Sequence, residues 1–399
     1  MVKKFYAYFT ALFTIGLVNN LGYVMIASGA QALAKQFDEE NFMAMFQLML
    51  VIFSVLILVL NYRYLSAMNT MLRVCLIIGG MAFSFVLISI CSATSQKWGF
   101  GVALVATVIM GIFQSWGECV MLGFTKSFPP EYVSGFSSGT GFAGVAGAGI
   151  ILLLKLAGLS YTVIYLCVLP LFGAYLVSFI WLWKKAKTDW SSKSLLVPEG
   201  ESNLQGESTP TEEAEGKNVS SSSGNALFSM EQLKYVWKKA WFLSTNLGLV
   251  YFLEYCIITG FADRATNQNS GSSDYFKANA YVILQFCYQF GVMISRSSLS
   301  CFKIKKVWIV TSLQALNFVL WWIEAETIFL GTWLEFILMI WVGCMGGIIY
   351  VNVAYLILTN KEMPQSYKEA AMNQNLCINS SAIILSSVFC IILDNFIIT

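Results

Sequence analysis

The sequence predicts an all-α integral membrane protein of about eleven transmembrane helices in two pseudo-repeated halves. Three observations lead there. The 399-residue chain is 57% hydrophobic and only 12% charged, about half the charged fraction of a soluble domain. Apolar runs close to the roughly 20 residues that span a bilayer recur along it. Part of the first run reappears in the seventh.

The runs lie near 6–33, 42–60, 72–92, 100–124, 136–156, 161–183, 241–262, 276–296, 307–323, 328–357 and 371–393. The first follows Lys3 and Lys4. It far exceeds the roughly 7–15 residues of a signal-peptide core, so a retained span is expected. The tenth fits one tilted helix or a helix plus a re-entrant piece, so twelve spans stand beside eleven. Trp98, Trp181, Trp183, Trp241, Trp308 and Trp322 stand near run ends, the headgroup depth that amphipathic rings prefer.

With the N-terminus in the cytosol, 19 of the 24 Lys and Arg fall on the cytosolic side. The other five are Lys35, Lys97, Lys155, Arg264 and Lys277. That asymmetry follows the positive-inside rule and supports both register and orientation. The segment from Lys184 to about Glu231 is rich in Ser, Glu and Gly. It cannot bury enough apolar area to offset its ordering entropy. The expected organisation is a six-helix membrane half over 1–183, a disordered cytosolic linker over 184–239, and a half of about five helices over 240–399.

The first span reads Gly16-Leu17-Val18, then Leu21, Tyr23 and Ile26. The seventh reads Gly248-Leu249-Val250, then Leu253, Tyr255 and Ile258, at a constant offset. Gly111 and Gly343 stand at the same offset. Parallel halves joined by a long cytosolic loop are the architecture of major-facilitator transporters, so the expected fold is major-facilitator-like.

The chain has no histidine, which removes the commonest metal ligand and general base. It has no HExxH or Cys-His arrangement. No catalytic residue, metal site or cofactor is expected, and the protein is not read as an enzyme. Its 10 cysteines lie in or beside apolar runs and are read as packing residues. A net charge of +2 gives no basic field for nucleic acid.

An ionisable group inside a span costs roughly 2.5–3.5 kcal/mol on insertion scales, so its presence calls for a reason. Glu118 lies inside the fourth span and Glu254 inside the seventh. Each is read as a proton-titrating or substrate-ordering carboxylate of a central cavity; the alternative is a buried hydrogen-bond partner that locks two helices. In the eighth span Gln285, Tyr288, Gln289, Val292 and Arg296 share one helical face. Arg296 there is either an anion anchor or a side chain snorkelling to the interface. Asn19, Asn20 and Tyr23 in the first span, Gln314 and Asn317 in the ninth, Asn352 in the tenth, and Asn375 and Asn379 in the eleventh form a polar cavity as a group. Singly, each serves equally as interhelical glue. The fifth span carries Ser137, Ser138 and Thr140 among glycines including Gly135 and Gly139. Close helix packing through small residues is the plainer reading; hydroxyls facing a polar solute is the sharper one.

Several strings resemble the battenin family: Leu17-Val18-Asn19-Asn20-Leu21-Gly22-Tyr23-Val24, Gly117-Glu118, Ser137-Ser138-Gly139-Thr140-Gly141, Val250-Tyr251-Phe252-Leu253-Glu254-Tyr255, Tyr288-Gln289-Phe290-Gly291-Val292, Ser295-Arg296-Ser297-Ser298-Leu299 and Gly346-Gly347-Ile348-Ile349-Tyr350-Val351-Asn352. They fall in order across nearly the whole chain outside the linker. The resemblance implies a lysosomal, vacuolar or endosomal membrane. It also implies roles in organelle pH balance, vacuolar basic amino acid levels and release of glycerophosphodiesters. The expected partners are a small polar or zwitterionic solute and the lipid bilayer. The competing reading is a non-transporting scaffold that regulates endolysosomal trafficking through cytosolic partners on the linker. Two buried carboxylates and a two-half repeat favour transport.

Overall fold

The computed structural model describes residues 2–94, 96–125, 128, 130–189, 230–267, 272–296 and 303–397. Among these residues the chain is helical and carries no strand. Nine helical segments are long and apolar enough to cross a membrane: Phe5–Gln36, Glu40–Asn61, Thr70–Ser92, Trp98–Thr125, Gly135–Leu156, Tyr161–Lys185, Lys234–Asn267, Thr332–Leu358 and Gln374–Asn395. They match nine of the predicted runs. The eighth and ninth runs are helices too, Ala280–Arg296 and Trp308–Thr327, but fall outside that set. The first is only 17 residues long, and the second carries Gln314, Asn317 and Glu324. The tenth run is one continuous helix of 27 residues.

In chain order the helices are α1 (Val2–Gln36), α2 (Ala44–Val51), α3 (Ser54–Arg63), α4 (Thr70–Ser92), α5 (Trp98–Thr125), α6 (Pro130–Leu156), α7 (Tyr161–Cys167), α8 (Leu169–Asp189), α9 (Met230–Tyr255), α10 (Ala262–Asn267), α11 (Tyr275–Ala278), α12 (Ala280–Arg296), α13 (Trp308–Thr327), α14 (Thr332–Leu358) and α15 (Gln365–Ile392). Helices α8 and α9 run past the predicted limits of the linker, to Asp189 and from Met230. Residues 190–229 of the linker and Ser297-Ser298-Leu299 lie outside the described residues. Helix starts follow local chemistry: the Asn69 side chain accepts from Met71 N–H and that of Asp274 from Phe276 N–H, both at 2.9 Å.

Glycine sets how closely the helices approach. A Cβ on Gly16 or Gly139 would meet the backbone of the facing helix, at Phe136 and Phe13 respectively. Only glycine lets α1 and α6 touch there. The small-residue reading of the fifth span therefore describes this contact. The repeat has a spatial counterpart: Gly111 lays α5 on the backbone of α2 at Leu50, and Gly343 lays α14 on that of α12 at Tyr288. Large side chains such as Leu153, Val177, Leu316 and Ile337 are exposed around the outside. Such a surface suits lipid, because helices satisfy their own backbone.

Candidate functional site

The site grows out of α9. The helix carries Glu254 into the bundle with 1% of its surface exposed. One residue later the α-helix gives way to a π-helical turn, Cys256–Phe261, a feature frequent at functional sites. The Tyr288 hydroxyl on α12 donates to Glu254 Oε1, while Oε2 has no partner. Across from the carboxyl stands Gly346 of α14, where a Cβ would overlap both carboxylate oxygens. The absent side chain of Gly346 is thus the space that Glu254 fills.

Arg296 closes the last turn of α12. Its guanidinium lies 4.9 Å from the centre of the Tyr350 ring, a cation–π contact, and beside the Tyr251 hydroxyl. Its charge acts on both Glu254 and Glu118, and so reaches carboxyls of both halves. Its Nε has no hydrogen-bond partner. On the N-terminal side a relay of amides leads to Glu118. Gln114 donates to Asn20 Oδ1 at 2.9 Å and to Glu118 Oε2 at 3.3 Å. Asn19 donates to the Gln114 carbonyl at 3.2 Å and occupies the space where Gly117 would carry a Cβ.

Next to this cluster a cavity of about 20 Å³ lies between the halves, room for about one water. Tyr23, Gln47, Tyr255, Tyr281, Gln285 and Tyr288 line it. Gln47 donates to the Tyr23 hydroxyl, and Gln285 to the Tyr281 hydroxyl at 2.8 Å. Beyond the cavity the halves are tied together. Gln31 on α1 donates to Asp263 Oδ1 at 2.7 Å and to Thr266 Oγ1 at 3.1 Å. Asn267 donates to Glu40 at 2.8 Å, and Asn395 to the Asn41 carbonyl at 3.2 Å. Among the described residues, the hydrogen bonds between halves run from Tyr23–Tyr255 toward this face, the one opposite the linker. A site holding both charge signs is therefore sealed on one side.

The structure brings Glu118, Glu254, Arg296, Tyr288, Asn20 and Tyr23 into this neighbourhood, with Asn19 and Gln285 supporting them. Gln289 packs against Gly144 of α6 and lines the same cavity. Other candidates stand elsewhere. Ser137 and Ser138 are exposed, and the Thr140 hydroxyl donates to the Ser137 carbonyl of its own helix at 2.9 Å. Asn352 accepts from Ile304 N–H at 2.7 Å and donates to the Ile348 carbonyl at 2.9 Å, which fixes the segment before α13. Gln314 and Asn317 bond to each other at 3.0 Å, and Asn375 accepts from Ser244 at 2.7 Å. The Ser244–Asn375 bond is interhelical glue, whereas the Gln314–Asn317 bond lies within α13. Sequence reasoning missed Gln47, Gln114, Tyr350, and the Gln31–Asp263 tie. For the last a signal existed: the two residues stand at the repeat offset.

Comparison with known proteins adds to this geometry. The family model described as CLN3 protein matches residues 10–399. The chain is 31% identical over 393 residues to Battenin of Dictyostelium discoideum, covering 96% of this chain and 92% of the relative. It is 30% identical to Battenin of Canis lupus familiaris, covering 74% and 65%. It is 28% identical to Protein BTN1 of Debaryomyces hansenii, covering 91% and 87%. Among solved structures, a bacterial homolog to the human lysosomal transporter Spinster, inward-facing and unoccupied, superposes with a TM-score of 0.58 at 16% identity. It covers 96% of this chain and 80% of that one. Its occupied inward-facing form gives 0.59 at 15%. The fold is the expected major-facilitator-like one.

Proposed function

The chain belongs to the CLN3 protein family, and on that premise we propose that it is a transporter of the lysosomal or vacuolar membrane that exports small zwitterionic solutes. One observation carries the reading: the charge of Arg296 acts on both Glu118 and Glu254, at a site shared by the two halves. Such a site offers a cation to an anionic group and carboxylates and tyrosine faces to a cationic one. Glycerophosphodiesters with a cationic head and basic amino acids both fit that description. With the N-terminus cytosolic the tied face is the luminal one, an arrangement that fits one stage of an alternating-access cycle. A carboxylate exposed in turn to lumen and cytosol would couple flux to organelle pH. In this organisation residues 184–239 link the halves.

The test uses purified full-length protein in proteoliposomes, with labelled glycerophosphocholine and arginine as probe solutes. Counterflow of at least one probe is expected. Arg296→Ala should lower glycerophosphocholine counterflow about tenfold, the scale of one lost charge-assisted contact. No counterflow of either probe by well-folded protein would overturn the reading.

A further inference from the structure

The hairpin between α13 and α14 buries a second pair of carboxyls, apart from Glu254. Glu324 lies in the last turn of α13 and Glu335 in the first turn of α14, 0% and 1% exposed. Glu324 Oε2 accepts from Phe329 N–H at 3.2 Å and Leu330 N–H at 2.9 Å. Those bonds close the turn in which Ile328 takes the left-handed conformation, φ 49°. Glu324 Oε1 and Glu335 Oε2 are both buried, and neither has a donor. The two carboxyls are within hydrogen-bonding reach of each other.

Two ionised carboxylates so placed would repel with no counter-charge and no solvent. A single proton between them removes the repulsion and gives each orphaned oxygen a partner. We propose that Glu324 and Glu335 together bind one proton, as an acid pair that is a second ionisable site at the face opposite the linker. The elements packed around the hairpin carry Glu254 on α9, Asp263 and Arg264 on α10, Tyr281, Tyr288 and Arg296 on α12, and Asp394 after α15. Glu335 responds to Glu324 rather than to any of these. In the orientation proposed above the pair sits toward the luminal end. The proposal does not depend on solute transport.

Infrared spectra of the purified full-length protein at neutral pH test it. Glu335→Gln keeps the shape and gives Glu324 an N–H donor in place of the shared proton. The variant should lose one protonated-carboxyl band relative to wild type, with Glu254 unchanged in both. Bands of equal size in two equally folded proteins overturn the proposal. Should Glu335→Gln fail to accumulate, Glu324→Gln supplies the N–H donor to Glu335 from the other side of the pair and is read the same way. A second readout is the pH dependence of the melting temperature. Raising pH removes the proton that joins the pair, so the wild-type melting temperature should fall more steeply than the variant's. Parallel profiles overturn the proposal.

Discussion

The hydroxyls of Tyr23 and Tyr255 stand 3.4 Å apart, and the residues are separated by 232 positions, the interval at which the sequence repeats. Equivalent residues of the two halves meet across the centre of the bundle, as a pseudo-two-fold arrangement requires. Gln31 and Asp263 meet at the same interval. The first helices of the two halves thus approach along the seam, whose main helix packing is α6 against α12 and α2 against α15.

The Tyr23–Tyr255 contact should show as coupling. Tyr23→Phe and Tyr255→Phe each remove one hydroxyl of the same pair. The double variant is expected to be less destabilised than the sum of the singles, by roughly 0.5–1.5 kcal/mol for one shared hydrogen bond. Thermal unfolding of the four proteins in one detergent measures this. Strict additivity would mean that the hydroxyls do not interact.

At the sealed face, Asp263→Ala removes the shortest of the Gln31 bonds and leaves the one to Thr266. A single hydrogen bond is worth roughly 0.5–1.5 kcal/mol. Its loss should shift the population toward a form open on that face by roughly two- to tenfold. Spin labels at the exposed positions Leu156 and Phe329, one on each half, should report a longer distance component in the variant. An unchanged distribution would show that the tie does not hold the face shut.

Gly346→Ala places a methyl where the Glu254 carboxylate lies. Overpacking of this kind costs roughly 1–3 kcal/mol. The cost should persist with Glu254→Gln, which keeps the volume, and should vanish with Glu254→Ala, which clears it. Melting temperatures of these combinations give the answer. An equal penalty in the Glu254→Ala background would place the clash elsewhere.

Much of the fold was legible because lipid imposes one-dimensional rules. Each span needs a long apolar run, and the Lys/Arg asymmetry fixes the register. The repeat was legible at Tyr23/Tyr255 and Gly111/Gly343, where identical residues recur. It was not legible at Gln31/Asp263, because complementary residues do not score as a match. Glu254 and Arg296 stood out as charges within apolar runs. Glu324 and Glu335 did not: a charge near a span end reads as a loop charge, and only the closed hairpin shows both to be buried. The polar residues of the fifth span were misleading in the other direction. Thr140 has its bonding satisfied within its own helix, and the neighbouring glycines serve the contact with α1. Gln47 and Gln114 required three dimensions, since their partners lie in other spans.

Arg296 should distinguish charge from geometry. Arg296→Lys keeps the cation but loses the planar guanidinium over the Tyr350 ring. Arg296→Ala loses both. Transport of an anionic or zwitterionic probe should fall in the order wild type, Lys, Ala, with similar protein levels throughout. Wild-type transport by both variants would leave Arg296 as an interfacial anchor.

In the proposed transport cycle Glu254 is the titrating group of a solute site between the halves. Glu254→Gln in proteoliposomes tests it most directly, with flux measured as a function of pH. Gln keeps the shape and can still accept the hydrogen bond from Tyr288, but it cannot ionise. The account predicts a folded variant with normal insertion whose residual flux no longer varies with pH. A well-expressed Glu254→Gln protein with the wild-type pH dependence would contradict it.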